Sequence, residues 1–106
     1  MKKDLLRIVA KAPGENPSEQ QIENTLAAFQ EFLDGYIEVV YYFGDLVIVC
    51  NEEGKIYGYP DNFRLGYDII VGDCIIVGGD LDTGEFRSLT NDEIDLVIKD
   101  LQKRAV

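Results

Sequence analysis

Apolar and polar positions alternate along much of the chain, and this pattern predicts several β-strands. Over residues 4–12, positions 6, 8 and 10 are apolar, and the predicted strand ends before Pro13. Residues 36–42 and 46–50 are rich in β-branched and aromatic side chains, and the short turn between them predicts an antiparallel hairpin. The second of these runs is apolar on both faces, so it is expected in the interior of its sheet.

The middle of the chain contains several closely spaced turn residues. Residues 55–59 predict a short edge strand, and residues 61–67 are expected to form a loop. Two apolar runs follow at 68–71 and 74–77. The Gly72-Asp73 pair between them is either a tight turn between two strands or a bend within one strand.

The segment before residue 34 permits two interpretations. A capping box at Ser18 would begin one long helix, because a Gln follows three residues later. Alternatively, residues 18–23 are extended, and the helix begins after an Asn24 or Thr25 cap.

Both interpretations place a helix over residues 26–33, with Gly35 as its predicted C-terminal cap. The last helix is defined more sharply, because Thr90 and Glu93 have the spacing of a capping box. They precede an apolar stripe that is typical of a helix packed on a core. The stripe consists of Ile94, Val97, Ile98 and Leu101.

These elements predict an α+β fold in a single domain, residues 1–106. A mostly antiparallel sheet of about five strands is expected, covered by two helices at about 25–34 and 91–103. The chain has 106 residues, of which 46% are hydrophobic and 28% charged, and this composition suits one small core.

Charge is the most unusual property of the composition. Twenty Asp and Glu residues oppose ten Lys and Arg residues, so the net charge is -10, and residues 12–54 contain no basic side chain. Such a surface disfavours direct binding to nucleic acid or to an anionic membrane, and it attracts a basic partner. The alternative is that the acidic residues only keep the protein in solution.

The residue inventory excludes several kinds of active site. His is absent, which excludes catalytic triads that use it, and two cysteines alone cannot form a four-thiolate zinc site. Cys50 and Cys74 have apolar neighbours and are expected to be buried, reduced thiols, with a disulfide as the alternative. The acidic segment 80–85 is expected to be a plain turn, so no metal is predicted. No cofactor is predicted either, because neither Gly72-Asp73 nor Gly78-Gly79 has the pattern of a phosphate-binding loop.

Two features bear on location. No apolar run approaches the length of a membrane span, and the apolar stretch near Met1 is too short for a signal peptide. A cytoplasmic protein is therefore expected.

Aromatic residues provide the candidate binding site. Four of them fall within residues 57–67 together with one arginine, and a further group lies at the end of the first hairpin. Tyr and Arg are frequent in interface hot spots because they combine apolar area with polar groups. The alternative is that the rings cover the core. The predicted binding residues are Tyr42, Tyr57, Tyr59, Phe63, Arg64 and Tyr67.

Four sequence motifs carry a resemblance to a known family. They are GYIEVV (35–40), VCNEEGK (49–55), IVGD (70–73) and GEFRSLT (84–90). Together they resemble an uncharacterised family of small acidic proteins found in phages, prophages and bacterial mobile elements. The resemblance covers most of the chain, implies a bacterial or phage cytoplasm, and favours the extended interpretation of residues 18–23. It implies no catalytic residue.

The sequence therefore favours a non-enzymatic binding protein. It is expected to dock on a host or element protein through an acidic, tyrosine-rich surface, in one variant as a mimic of nucleic acid. The alternative is a small-molecule or nucleotide binding module with a pocket near residues 57–67, where tyrosines stack on a ring and Arg64 meets an anionic group. An enzyme is the weakest hypothesis, because no spacing singles out an acid–base pair. The amino-acid sequence does not indicate an oligomeric state.

Overall fold

The computed structural model describes residues 4–106, which form two antiparallel sheets and three helices. The elements in chain order are β1 (Leu5–Lys11), β2 (Ser18–Glu23), α1 (Leu26–Leu33), β3 (Ile37–Phe43), β4 (Leu46–Asn51), α2 (Gly54–Tyr57), β5 (Asp61–Leu65), β6 (Asp68–Val71), β7 (Cys74–Gly79), β8 (Phe86–Arg87) and α3 (Asn91–Arg104).

The main sheet has the strand order β2-β1-β7-β4-β3, and β8 adds to β7. Every residue of β4 is buried, which confirms its predicted interior position. One face of the sheet packs against α1, and the opposite face packs against α3 and the β5–β6 hairpin. The expected α+β fold with a mainly antiparallel sheet is confirmed.

The two long helices begin at the caps that the sequence offers. At α3, the Thr90 hydroxyl accepts from the Glu93 amide at 3.2 Å, and the Glu93 carboxylate accepts from the Thr90 amide at 2.9 Å. At α1, the Thr25 hydroxyl accepts from the Ala28 amide at 3.1 Å. The shorter version of the first helix is therefore confirmed, because residues 18–23 pair with β1 instead.

The end of α1 differs from the prediction. Asp34, not Gly35, adopts the left-handed conformation at the C-terminal cap, with φ 59°. Gly35 is needed for another reason, since a Cβ there would lie 2.9 Å from Nδ2 of Asn51. That nitrogen donates to the carbonyl oxygens of Leu33 (2.9 Å) and Asp34 (3.2 Å), so the Asn51 side chain fastens the helix end to β4.

The predicted edge strand at 55–59 is wrong, because this segment contains the single-turn helix α2. The Asn51 Oδ1 accepts from the Glu53 amide at 2.8 Å and so turns the chain directly after β4. Gly58, with φ 73°, then ends the turn of helix in the left-handed conformation. The turn made by the Asn51 side chain and the left-handed Gly58 have outweighed the β-propensity of the aromatic residues.

The predicted loop at 61–67 is also wrong, because β5 occupies most of it and pairs with β6. Gly66, with φ 60°, and Tyr67 form a two-residue connection, and Gly in the first position of such a turn is typical of hairpins. Gly72-Asp73 is a tight turn, since β6 and β7 belong to different sheets.

A buried polar cluster joins the β5–β6 hairpin to the main sheet. Nδ2 of Asn62 donates to the carbonyl oxygens of Lys11 (2.8 Å) and Gly72 (2.7 Å). The Lys11 ammonium in turn donates to Oδ1 of Asn62 at 2.7 Å. Burial lowers the pKa of Lys11, because its partners here are neutral oxygens. The cluster sets the position of the turn at Gly72.

Cys50 and Cys74 are both buried and unbonded to each other, as expected. They face each other across β4 and β7. No helix within residues 4–106 combines the length and apolar character required to span a bilayer.

Candidate binding surface

The six predicted binding residues do not form one surface. Phe63 is completely buried in the core beneath α3, so its prediction as an accessible contact is wrong. The side chains of a strand alternate between its two faces, and β5 directs Phe63 inward and leaves Arg64 exposed.

Tyr42 is also buried, and the structure assigns it an internal partner. Its hydroxyl donates to the carboxylate of Asp100 on α3. Nε of Arg104 donates to the same carboxylate at 2.6 Å, and the Arg104 guanidinium lies 5.6 Å from the centre of the Tyr42 ring. Burial and the Asp100 contact raise the pKa of Tyr42 well above its usual value. Tyr42 therefore joins α3 to the sheet and is not available to a partner.

Two of the predicted tyrosines are strongly exposed. Tyr67 at the β5–β6 connection is fully exposed, and Ile56 and Tyr57 on α2 are 80% and 60% exposed. An ion pair between Lys55 and Asp68 joins α2 to the hairpin that carries Tyr67. We call Ile56, Tyr57 and Tyr67 the tyrosine patch.

Tyr59 lies beside this patch in a fixed orientation. Its ring centre is 5.7 Å from that of Tyr57. A Cβ on Gly72 would lie 2.6 Å from the Tyr59 ring, and a Cβ on Gly54 would lie 3.2 Å from it. The Tyr59 ring therefore packs directly against the backbone at these two positions, where a side chain would collide with it. Gly72 is required for a second reason, because its φ of 72° is unfavourable for other residues.

Tyr59 forms one wall of a groove where four connections meet. These are the β1–β2 connection, the end of α1, the link between α2 and β5, and the β6–β7 turn. The groove has a volume of about 400 Å³. We call it the Tyr59 groove, and it is lined by Pro13, Phe32, Leu33, Asp34, Tyr59, Pro60, Gly72 and Asp73.

The groove has apolar walls and acidic edges. Desolvation, together with the carboxylates of Asp34 and Asp73, raises the pKa of Tyr59 above its usual value. None of the lining residues is basic, and neither Asp34 nor Asp73 forms an ion pair within residues 4–106. Arg64 does not line the groove, so the predicted combination of stacking tyrosines with Arg64 is not assembled there.

A family comparison applies to nearly all of this structure. The model of the family described as Domain of unknown function (DUF3846) matches residues 6–102. The chain belongs to this family. No curated protein and no solved structure matches it. The resemblance to a family without established function is thereby confirmed, and the matched range contains the tyrosine patch and the Tyr59 groove.

Of the eight residues that line the groove in this DUF3846 domain, only Tyr59 was among the predicted binding residues. Phe32 lies outside the apolar stripe of α1 and remains 36% exposed, and an aromatic residue off the stripe is a signal that the sequence contains. Asp34 and Asp73 offered no signal, because each lies in an ordinary turn and only the fold brings both to Tyr59.

The other reactive groups of the DUF3846 domain are buried or dispersed. Burial raises the pKa of Cys50 to about 11 and that of Cys74 to about 12, so both thiols are protonated at neutral pH. Within residues 4–106, no three acidic or sulfur side chains are grouped to hold a metal ion.

Proposed function

We propose that this DUF3846 domain is a non-enzymatic binding protein that docks on a basic protein through the tyrosine patch and the net acidic surface of the domain. The observation that carries the proposal is the exposure of three large side chains on two elements that an ion pair joins. Exposed aromatic side chains in a group favour a protein interface, because they offer large apolar area at little cost in conformational entropy.

The charge of the molecule supports a basic partner. At net charge -10, the domain attracts positively charged surfaces over about a Debye length, which is about 8 Å at physiological ionic strength. One variant of the proposal is nucleic-acid mimicry, in which the carboxylates occupy a DNA- or RNA-binding groove of the partner. The setting that we propose is the bacterial or phage cytoplasm.

The state of the nucleophiles supports a role without catalysis. Both thiols have a raised pKa, and histidine is absent. A nucleotide-binding role near residues 57–67 has less support, because the groove there has acidic edges and lacks Arg64.

Affinity capture from a bacterial lysate tests the proposal. The bait is compared with a Y57A/Y67A variant and with a Y41A/L81A control, since Tyr41 and Leu81 are also exposed but line a different cavity. We expect a specific protein whose recovery falls about tenfold in Y57A/Y67A, stays unchanged in the control and decreases at high salt. Equal recovery by all three baits, or the absence of any specific protein at low and high salt, would contradict the proposal.

A further inference from the structure

We propose that the Tyr59 groove accepts an arginine side chain from the basic partner. This inference rests on the proposed function and names the group of the partner that enters the groove. The occupant is a guanidinium on an extended segment, with its aliphatic stem on the apolar walls and its charge at Asp34 and Asp73.

The groove is large enough for a single long side chain. Its volume of about 400 Å³ lies near the lower end of the range of about 300–1,000 Å³ for small-ligand sites. Two rings, Phe32 and Tyr59, and two prolines, Pro13 and Pro60, supply apolar surface. Such surface packs against the methylene stem of an arginine and against the flat face of its guanidinium.

The charges at the groove suit a cation. Asp34 and Asp73 are both exposed and have no ion-pair partner within the described chain. The last turn of α1, which Asp34 caps, has no basic residue, so the partial negative charge of the helix C-terminus also favours a cation. Asp34 and Asp73 are the only charged side chains that line the groove.

The domain already contains the proposed arrangement at another place, where its own Arg104 lies against a tyrosine ring and a carboxylate. At Tyr42, the Arg104 guanidinium lies 5.6 Å from the ring centre and its Nε donates to Asp100 at 2.6 Å. The Tyr59 groove has the ring and the carboxylates but no arginine. An arginine is preferred over a lysine because a guanidinium stacks on rings and bonds a carboxylate with two N–H groups at once.

The groove is preorganised for this contact. Glycines at 54 and 72 hold the Tyr59 ring, and the Asn51 side chain holds the turn at Asp34. Groups that are already ordered lose little conformational entropy when they bind.

Short peptides provide the test, with binding followed by NMR of the isotopically labelled full chain. The probe is Ala-Gly-Arg-Gly-Ala, and matched peptides carry citrulline, lysine or leucine in place of arginine. We expect the arginine peptide to shift the amide signals of residues around the groove, with Kd on the order of 1 mM. The citrulline peptide, which has the same shape without charge, should bind about tenfold more weakly.

Two double variants separate the groove from general electrostatics. D34N/D73N and D80N/D82N each remove two carboxylates and change the net charge from -10 to -8. Asp73 directly precedes β7 and Asp80 directly follows it. At the rise per residue of a strand, the two positions are about 23 Å apart. We expect D34N/D73N to weaken the arginine peptide about tenfold and D80N/D82N to weaken it less than about twofold.

The variants are chosen to preserve the fold. Asn tolerates the left-handed conformation of position 34 as well as Asp does, and Asp73 is exposed. The D73N single variant gives a second measurement, with an expected loss of about threefold.

Several results would overturn the inference: equal binding of the citrulline or leucine peptide, equal loss in both double variants, or amide shifts centred away from the groove. If the arginine peptide does not bind the groove while affinity capture from the lysate still depends on Tyr57 and Tyr67, the proposed function stands with a different partner chemistry. If arginine binds the groove while capture is indifferent to the tyrosine patch, the proposed function fails alone.

Discussion

Two regions of the molecule place a tyrosine ring beside aspartates, and they use the combination in opposite ways. At Tyr42, the ring is buried and Arg104 of the same chain neutralises Asp100. At Tyr59, the ring is half-buried, and Asp34 and Asp73 have no cationic partner within residues 4–106. The residue types are alike, so the difference lies in whether the fold itself supplies the arginine. The first cluster stabilises the domain, and the second remains open to another molecule.

The largest expected effect comes from deleting the two rings. Y42A should lower the free energy of unfolding by about 3–5 kcal/mol, because it removes a buried aromatic side chain and leaves a cavity under α3. Y59A should cost about 1 kcal/mol, because Tyr59 is only partly buried. Urea denaturation measures both values, and equal costs would refute the contrast between the two regions.

A glycine pair sharpens the role of the Tyr59 ring. Gly72 and Gly84 have nearly the same φ, 72° and 74°, but a Cβ would strike the Tyr59 ring only at Gly72 and would meet open space at Gly84. G84A should cost about 1 kcal/mol from backbone strain alone, and G72A about 2–3 kcal/mol. Thermal unfolding measures the difference, and NMR signals of the Tyr59 ring should shift only in G72A. Identical behaviour of the two variants would show that the ring does not rest on Gly72.

A pH titration tests the carboxylate of Glu93, which is paired within the chain, unlike those of Asp34 and Asp73. Glu93 bonds the Arg87 guanidinium through both oxygens, at 2.8 and 2.9 Å, and this contact lowers its pKa from 4.5 to about 2. The folded pKa is below the unfolded one, so the stabilisation is present above about pH 4.5 and is lost as the pH falls toward 2. E93Q retains a capping box, so the variant isolates the charge.

The expected size of this effect is about 1 kcal/mol, because the pair is partly exposed and screened by solvent. Urea denaturation of both proteins from pH 7 to pH 2 should show a difference that shrinks on acidification. A difference that stays constant or grows in acid would contradict the assignment.

The smallest expected effect is on the free energy of unfolding when the two aspartates of the groove are replaced. D34N/D73N should change the free energy of unfolding by less than about 0.5 kcal/mol, because neither carboxylate forms an ion pair within residues 4–106. Urea denaturation at neutral pH checks this value. A loss of several kcal/mol would show that these aspartates support the fold, as Asp100 does.

Local patterns account for the parts of the fold that were predicted correctly. The capping box at Thr90 and Glu93, the helix at Leu26–Leu33 and the buried strand Leu46–Asn51 each depend on residues within a few positions of one another. Apart from the cap of α1, which falls at Asp34 instead of Gly35, the errors in secondary structure lie between residues 54 and 67. There, the Asn51 side chain and two glycines at positive φ outweighed the strand propensity of the aromatic residues.

The sequence by itself determined the α+β class, the two long helices, the interior strand and the acidic charge, because periodicity and composition are local or additive properties. Only the tertiary structure decided which rings are buried and which carboxylates are paired. Phe63 and Arg64 are adjacent in the chain, yet one lies in the core and the other in solvent. Asp34 and Asp73 reach Tyr59 only because the end of α1, the β6–β7 turn and the link after α2 pack at one place. Contacts between residues distant in the chain arise from packing, and the spacing of side chains along the sequence does not encode them.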